Sequence, residues 1–207
     1  MCLADNDIIH KLAACDLLND AFSALDIVRA DIYVLPSAKY KLCVVGRRSR
    51  LGEQRYGREG FARIRDFLTS VREIDVAGSP EVRQLFDGVD GIDPGEAVLF
   101  SAATTFDSYL LMTGDKASLR ALASTPICNG VAQRIRGHVM CLEQIVKHLI
   151  QSFGFPYVRD KIVIGHGCDA VLTIAFGSRY DATEPNVLAA LDSYINELRS
   201  LPVDLLT

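Results

Sequence analysis

Over the first 125 residues the apolar positions follow two rhythms, short aliphatic or β-branched runs and longer stretches in which they recur every three or four residues. Strand-length runs alternating with helical stretches predict a parallel sheet with helices packed on its faces. Residues 1–4 make a first short strand, and Ile8, Ile9, Leu12 and Cys15 follow at helical spacing behind Asp5 or Asn6 as the capping residue. Asp31 to Leu35 reads as a second strand, stopped by Pro36 and leading into 38–44. Phe61, Ile64, Phe67, Leu68 and Val71 mark an amphipathic helix whose outer face carries Arg63, Arg65 and Asp66. A shorter helix is expected over 81–89. Asp93-Pro94-Gly95-Glu96 has the marks of a helix start, with a capping Asp, a proline at the first position and an acid in the first turn, and it leads into a helix over 97–106. Tyr109 to Thr113 is a buried strand, and Gly114-Asp115 turns the chain into a helix over 116–123.

Beyond Pro126 the rhythm changes to a long helix around 137–152, a polar break over 154–167 and a final helix around 183–200. This divides the chain into an α/β unit over 1–125 and a mainly helical extension over 126–207. The extension carries two apolar stripes, Val139, Leu142, Ile145, Val146, Leu149 and Ile150 on one helix and Leu188, Leu191, Ile195 and Leu198 on the other. Such stripes suit either a cover over the α/β core or a surface for a homodimer or a protein partner, because both share one apolar signature.

At 207 residues and 49% hydrophobic content the chain suffices for one well-buried domain with an extension, or for two small domains. No run approaches the roughly 18 apolar residues of a membrane span, and Met1-Cys2-Leu3-Ala4-Asp5 lacks the basic and apolar regions of a secretory signal. Six cysteines (Cys2, Cys15, Cys43, Cys128, Cys141, Cys168) are scattered without a CxxC pair, a distribution typical of free thiols in a reducing compartment. A cytoplasmic protein with no membrane partner is expected. The net charge of −4 argues against a chain that coats nucleic acid throughout, yet it hides an asymmetry. Between Lys39 and Arg65 nine basic residues stand against two acidic ones, a balance of +7 that leaves −11 for the remainder. Inside that segment Gly46-Arg47-Arg48-Ser49-Arg50-Leu51-Gly52 reads as a mobile loop, either a plain solvated one or one in which Arg47, Arg48 and Arg50 grip the phosphates of RNA.

Three acidic motifs, Asp5-Asn6-Asp7, Gly95-Glu96-Ala97 and Thr113-Gly114-Asp115-Lys116, stand where a strand hands over to a helix or where a helix begins. A parallel sheet gathers side chains from such places into one crevice. The same places favour acids as helix caps and as partners of the helix dipole. Carboxylates brought together would repel one another unless a divalent cation lay between them. Other chemistries find less support. His10, His138, His148 and His166 lack HExxH or paired spacing, His166-Gly167-Cys168-Asp169 is half of a zinc site without its other half, and there is no GxxxxGK[ST], GxGxxG or GxSxG.

In this order and spacing the motifs resemble the PIN domain family over roughly residues 1–125. Leu3-Ala4-Asp5-Asn6-Asp7-Ile8-Ile9 is similar to its opening strand ending in an aspartate, Gly91-Ile92-Asp93-Pro94-Gly95-Glu96-Ala97 to its Gly-Glu-Ala helix start, and Leu110-Leu111-Met112-Thr113-Gly114-Asp115-Lys116 to its strand ending in Thr/Ser-x-Asp. The resemblance implies a three-layer α/β/α sandwich and an endoribonuclease dependent on Mg²⁺ or Mn²⁺. Asp5, Glu96 and Asp115 would be its catalytic metal ligands and Asp7 their support, with Thr113 hydrogen-bonding a ligand carboxylate or the substrate phosphate. In such a site the cation lowers the pKa of a water and neutralises phosphate charge during in-line displacement.

Two departures matter. Lys39 and Lys41 stand where the family carries an acid on the helix after the second strand, and Gly114-Asp115-Lys116-Ala117-Ser118 has no second acid after Asp115. These leave open a one-metal site, with Asp90 or Asp93 as a replacement ligand, and a degenerate site in which Lys41 pairs with a carboxylate in place of a cation. A non-catalytic RNA- or protein-binding module is accordingly the alternative reading, and a metal-dependent phosphatase acting on small molecules is a third.

Overall fold

Four short, mainly apolar runs and the charged pair Arg72–Glu73 lie side by side as five parallel strands in the computed structural model, which describes residues 1–75, 78–165, 167–177 and 180–207. They are β1 (Cys2–Ala4), β2 (Ile32–Val34), β3 (Arg72–Glu73), β4 (Leu110–Thr113) and β5 (Val139–Cys141), in the order β3-β2-β1-β4-β5. Cys2 and Leu3 pair with Ile32 and Tyr33 on one side and with Leu110 and Leu111 on the other. The connecting helices are α1 (Asn6–Ala14), α2 (Leu18–Ala24), α3 (Ala38–Lys41), α4 (Ser49–Ser70), α5 (Pro80–Gln84), α6 (Pro94–Ala103) and α7 (Lys116–Ser124). They continue with α8 (Asn129–Ile135), α9 (Leu142–Phe153), α10 (Phe155–Ile164), α11 (Ala170–Phe176) and α12 (Glu184–Arg199). The chain builds outward from β1 to β3 and then crosses back to place β4 on the other side of β1. Strand order therefore reverses between β1 and β4, and the crevice beyond their carboxyl ends is where open parallel sheets hold ligands.

The two-residue period of the strands divides the core between two faces. Cys2, Ala4, Ile32, Val34, Met112 and Met140 pack with α1, α2, α4 and α9, while Leu3, Leu111, Val139 and Cys141 pack with α6, α7 and α8. With both faces covered, β1, β4 and β5 are largely apolar rather than alternating, as buried parallel strands are, whereas the edge strand β3 is charged and exposed. This is an α/β fold.

The structure departs from the sequence expectation in several elements, each for a local reason. Gly46 to Arg48 is a single 3₁₀ turn and Ser49 begins α4, so the arginine-rich stretch is a helix start rather than an open loop. The Ser49 hydroxyl donates to the Gly46 carbonyl at 3.0 Å. The break falls later, at Gly57, whose φ of 70° and ψ of 164° interrupt α4; glycine adopts that region without the steric penalty of a Cβ. Val139 opens β5 rather than a helix, pairing with Leu111 and bridging to Leu206. The stretch expected as a polar break instead forms α10 and α11, which bury Val158, Ile162, Leu172 and Phe176. Both C-terminal stripes are internal: Val139, Leu142, Ile145, Val146, Leu149, Ile150, Leu191, Ile195 and Leu198 are buried within the chain, and Leu188 packs against the same core. Among the described residues no helix is long and apolar enough to cross a membrane.

Candidate functional site

Beyond the carboxyl ends of β1 and β4 lies a cleft of about 290 Å³ lined by Asp5, Asn6, Asp7 and His10 from the β1–α1 turn, Asp93, Gly95 and Glu96 from the start of α6, and Asp115 from the start of α7. Lys41, Leu42, Arg55 and Tyr56 complete its wall. The fold thus brings Asp5, Asp7, Glu96 and Asp115 together. Each of the three expected ligands also caps a helix. Asp5 Oδ1 accepts from the Asn6 N–H at 2.6 Å, and Asp115 Oδ1 accepts from Ala117 and Ser118 at 2.8 and 3.0 Å. At α6 the caps are reciprocal: Asp93 Oδ1 accepts from Glu96 N–H at 2.9 Å, and Glu96 Oε2 accepts from Asp93 N–H at 2.6 Å. Capping explains why acids stand at these positions, but not why three caps share one cleft.

Thr113 ties two of the acids together. Its hydroxyl donates to Asp5 Oδ2 at 3.0 Å and accepts from the Asp115 N–H at 3.1 Å, deep in the site. Burial pushes Asp5 up to about 6, with the Asp7 charge adding to the shift and the Thr113 hydrogen bond opposing it. Glu96 is pushed up to about 8, first by burial and then by the Asp115 carboxyl in contact with it. Among the described residues no lysine or arginine pairs with Asp5, Glu96 or Asp115.

The remaining acids already have cationic partners from the chain. Lys11 Nζ stands 2.5 Å from Asp7 Oδ2 and 2.8 Å from Asp169 Oδ2, and donates to the Gly114 carbonyl at 3.1 Å. Burial works against the charge of Lys11, but Asp7 and Asp169 outweigh it and hold the ammonium above its ordinary value. Behind α7, Lys116 pairs at 2.6 Å with the fully buried Glu143, whose Oε2 has no partner. At the mouth Lys41 pairs with Asp93 at 3.3 Å. Asp90, the other candidate replacement ligand, does not line the cleft.

Arg47, Arg48 and Arg50 are exposed and do not line the cleft; Arg55, two residues before the Gly57 break, does. Tyr56 beside it stacks obliquely on His10, ring centroids 4.9 Å apart. Lys11, His10, Arg55, Tyr56 and Asp169 carry no signal in the sequence beyond their types. His166 lies outside the described residues; its neighbours Cys168 and Asp169 face Cys15 and Lys11.

The donors of the cleft suit a hard divalent cation that keeps much of its water. They are oxygens from carboxylates raised by burial, together with Asn6 Oδ1, which is buried with no hydrogen-bond partner among the described residues. Among the described residues no three Asp, Glu, His or Cys side chains stand close enough to enclose an ion unaided. A cation here would be held by one or two carboxylates and complete its shell with water and phosphate, as Mg²⁺ commonly does.

These shifts give the metal-free protein a definite pH dependence. Glu96 keeps its proton to about pH 8 when folded but loses it near its ordinary 4.5 when unfolded, so the native state binds more protons and stability falls as pH rises. His10 is lowered by burial and acts oppositely, but only below its ordinary 6.5. Between pH 6.5 and 8 in EDTA the urea midpoint should therefore decline, by up to about 2 kcal/mol in stability. Glu96→Gln, which retains the capping acceptor, should flatten the decline, and Mn²⁺ should reverse it. Flat or rising stability over that range in the wild type would mean that Glu96 is ionised without a cation.

No family profile, curated protein or solved structure matches this chain.

Proposed function

We propose that the protein is a metal-dependent ribonuclease with the α/β/α sandwich of the PIN-like family, cleaving single-stranded RNA at the acidic cleft. The observation that carries this reading is the convergence of Asp5, Glu96 and Asp115, from three separate segments, at the point where strand order reverses. When bound, a divalent cation supplies a water of lowered pKa and neutralises charge on the phosphate. One or two of Asp5, Glu96 and Asp115 would hold that cation directly and the rest through its water. Thr113 orients Asp5 and the Asp115 turn relative to each other. Lys11 keeps Asp7 and the Gly114 carbonyl in place. On the opposite wall Arg55 offers a phosphate partner, and the tilted Tyr56–His10 pair offers an aromatic surface on which a splayed base can lie. Arg47, Arg48 and Arg50 would act at longer range, drawing the RNA backbone toward the cleft.

One observation favours the non-catalytic RNA- or protein-binding alternative: the Lys41–Asp93 pair neutralises an acid at the mouth with a cation from the chain. The two readings separate in one experiment. Single-stranded RNA of mixed sequence should be cut in Mn²⁺ and left intact in EDTA. Arg55→Ala should raise KM about tenfold, the loss of roughly 1.4 kcal/mol of phosphate binding, with kcat little changed, and Arg47→Ala, outside the cleft, should weaken binding less than threefold. RNA bound equally with and without Mn²⁺ but never cut would replace the nuclease by the binding module.

A further inference from the structure

We propose that Cys15 and Cys168 are an oxidation site, forming a reversible disulfide that fastens the end of α1 to the start of α11. Their Sγ atoms lie 3.4 Å apart, although the residues are 153 positions apart in sequence. Both cysteines are free thiols in the structure, and the gap to be closed is little more than an ångström against a bond of about 2.05 Å. Cys15 ends α1, its N–H donating to the Lys11 carbonyl at 3.3 Å. Cys168 immediately precedes Asp169, which caps α11 and pairs with Lys11. The two sulfurs thus sit at the ends of segments already held together by the Lys11–Asp169 ion pair. Gly165 keeps the approach close: a Cβ there would stand 2.5 Å from Cys15 Sγ and 2.9 Å from its backbone nitrogen.

The two thiols are unequal. Cys15 is buried and Cys168 half-buried, so an incoming oxidant meets Cys168 first. The hydrogen bond shared by the two thiols holds Cys168 below the ordinary thiol range, with Lys11 adding a smaller push the same way, and Cys15 above it. Cys168 is the attacking thiolate and Cys15 the resolving thiol, the division that two-thiol redox pairs use. With a low-molecular-weight disulfide as oxidant, the Cys168 thiolate attacks one of its sulfurs, forms a mixed disulfide and releases the first small thiolate. Cys15 then loses its proton and attacks the Cys168 sulfur, expelling the second. Two electrons pass from the cysteines to the reagent, and the two protons leave with the two small thiols.

Treatment of the full chain with oxidised glutathione tests this. The mass should fall by about 2 Da through loss of two hydrogens, a non-reduced digest should contain one peptide linking Cys15 to Cys168, and dithiothreitol should reverse both. Because the bond would join residues 153 positions apart, the oxidised protein should melt about 5 °C or more above the reduced one. Cys168→Ala, at the more accessible position, should abolish both the linked peptide and the Tm rise. A mixed glutathione adduct persisting on Cys168, a linkage between other cysteines, or both thiols remaining open to alkylation after oxidation would overturn the assignment. These outcomes are read on the protein without RNA or metal, so they stand apart from the ribonuclease reading.

Discussion

Asp115→Asn should reduce Mn²⁺-dependent RNA cleavage by about a hundredfold or more while leaving the metal-free protein at least as stable as the wild type. Asparagine retains an oxygen that can accept from the Ala117 and Ser118 N–H groups, so the cap on α7 survives. What disappears is the negative charge. A cation loses a ligand, and Glu96 loses the neighbour that helps to keep it protonated, so its pKa moves back toward the ordinary range. Mutating a merely structural cap would move stability and activity in the same direction; here they should part. The check is the rate at saturating Mn²⁺ beside the Tm in EDTA, at pH 7.5. A variant cutting RNA within about threefold of wild type would remove Asp115 from the catalytic set, a change of only ~0.6 kcal/mol in the barrier.

What the sequence made legible was local. Asp5, Glu96 and Asp115 stand out because each combines an apolar run or a proline-marked helix start with an acid at a capping position, a signal spanning only a few residues. β1, β2 and β4 are likewise visible as short aliphatic runs ended by a turn residue. β5 is not, because Val139-Met140-Cys141 runs directly into α9, and Val139 falls on the same helical period as Leu142 and Ile145. The arginine-rich segment misleads in a similar way. Its glycines suggest a loop, but Gly52 is buried against the Phe61 ring, the positive φ of Gly46 falls before α4 begins, and within α4 it is Gly57 that breaks the helix, with Arg55 and Tyr56 rather than Arg47 at the cleft. Contacts between distant segments are the part no local pattern carries. Nothing in the sequence around Lys11 points to Asp169, although that pair joins the C-terminal region to the site.

The same pair should dominate the stability of that junction. Lys11 is mostly buried and answers two carboxylates, of which Asp169 is itself buried with a pKa held below its ordinary value by the ammonium against the effect of burial. Lys11→Met fills similar space with no charge and leaves Asp7 and the buried Asp169 without the ammonium that pairs with both, a loss expected to cost about 3–5 kcal/mol. For a chain of this size that is a fall in Tm of roughly 10 °C. Asp169→Asn should cost far less, about 1 kcal/mol, because Lys11 keeps Asp7 and asparagine can still cap α11 through Val171 and Leu172. In the double variant the unpaired buried charge of Asp169 is gone, so Lys11→Met with Asp169→Asn should be more stable than Lys11→Met alone. That recovery added to the cost of Asp169→Asn alone is the coupling energy of the pair, and urea unfolding of the four proteins measures it. Strict additivity would show that the two side chains touch without holding each other. The release of the Gly114 carbonyl adds a consequence for the cleft: with the turn before Asp115 no longer anchored by Lys11, the Mn²⁺ concentration needed for half-maximal cleavage should rise in Lys11→Met and stay nearer wild type in Asp169→Asn, where the Lys11–Gly114 hydrogen bond is retained.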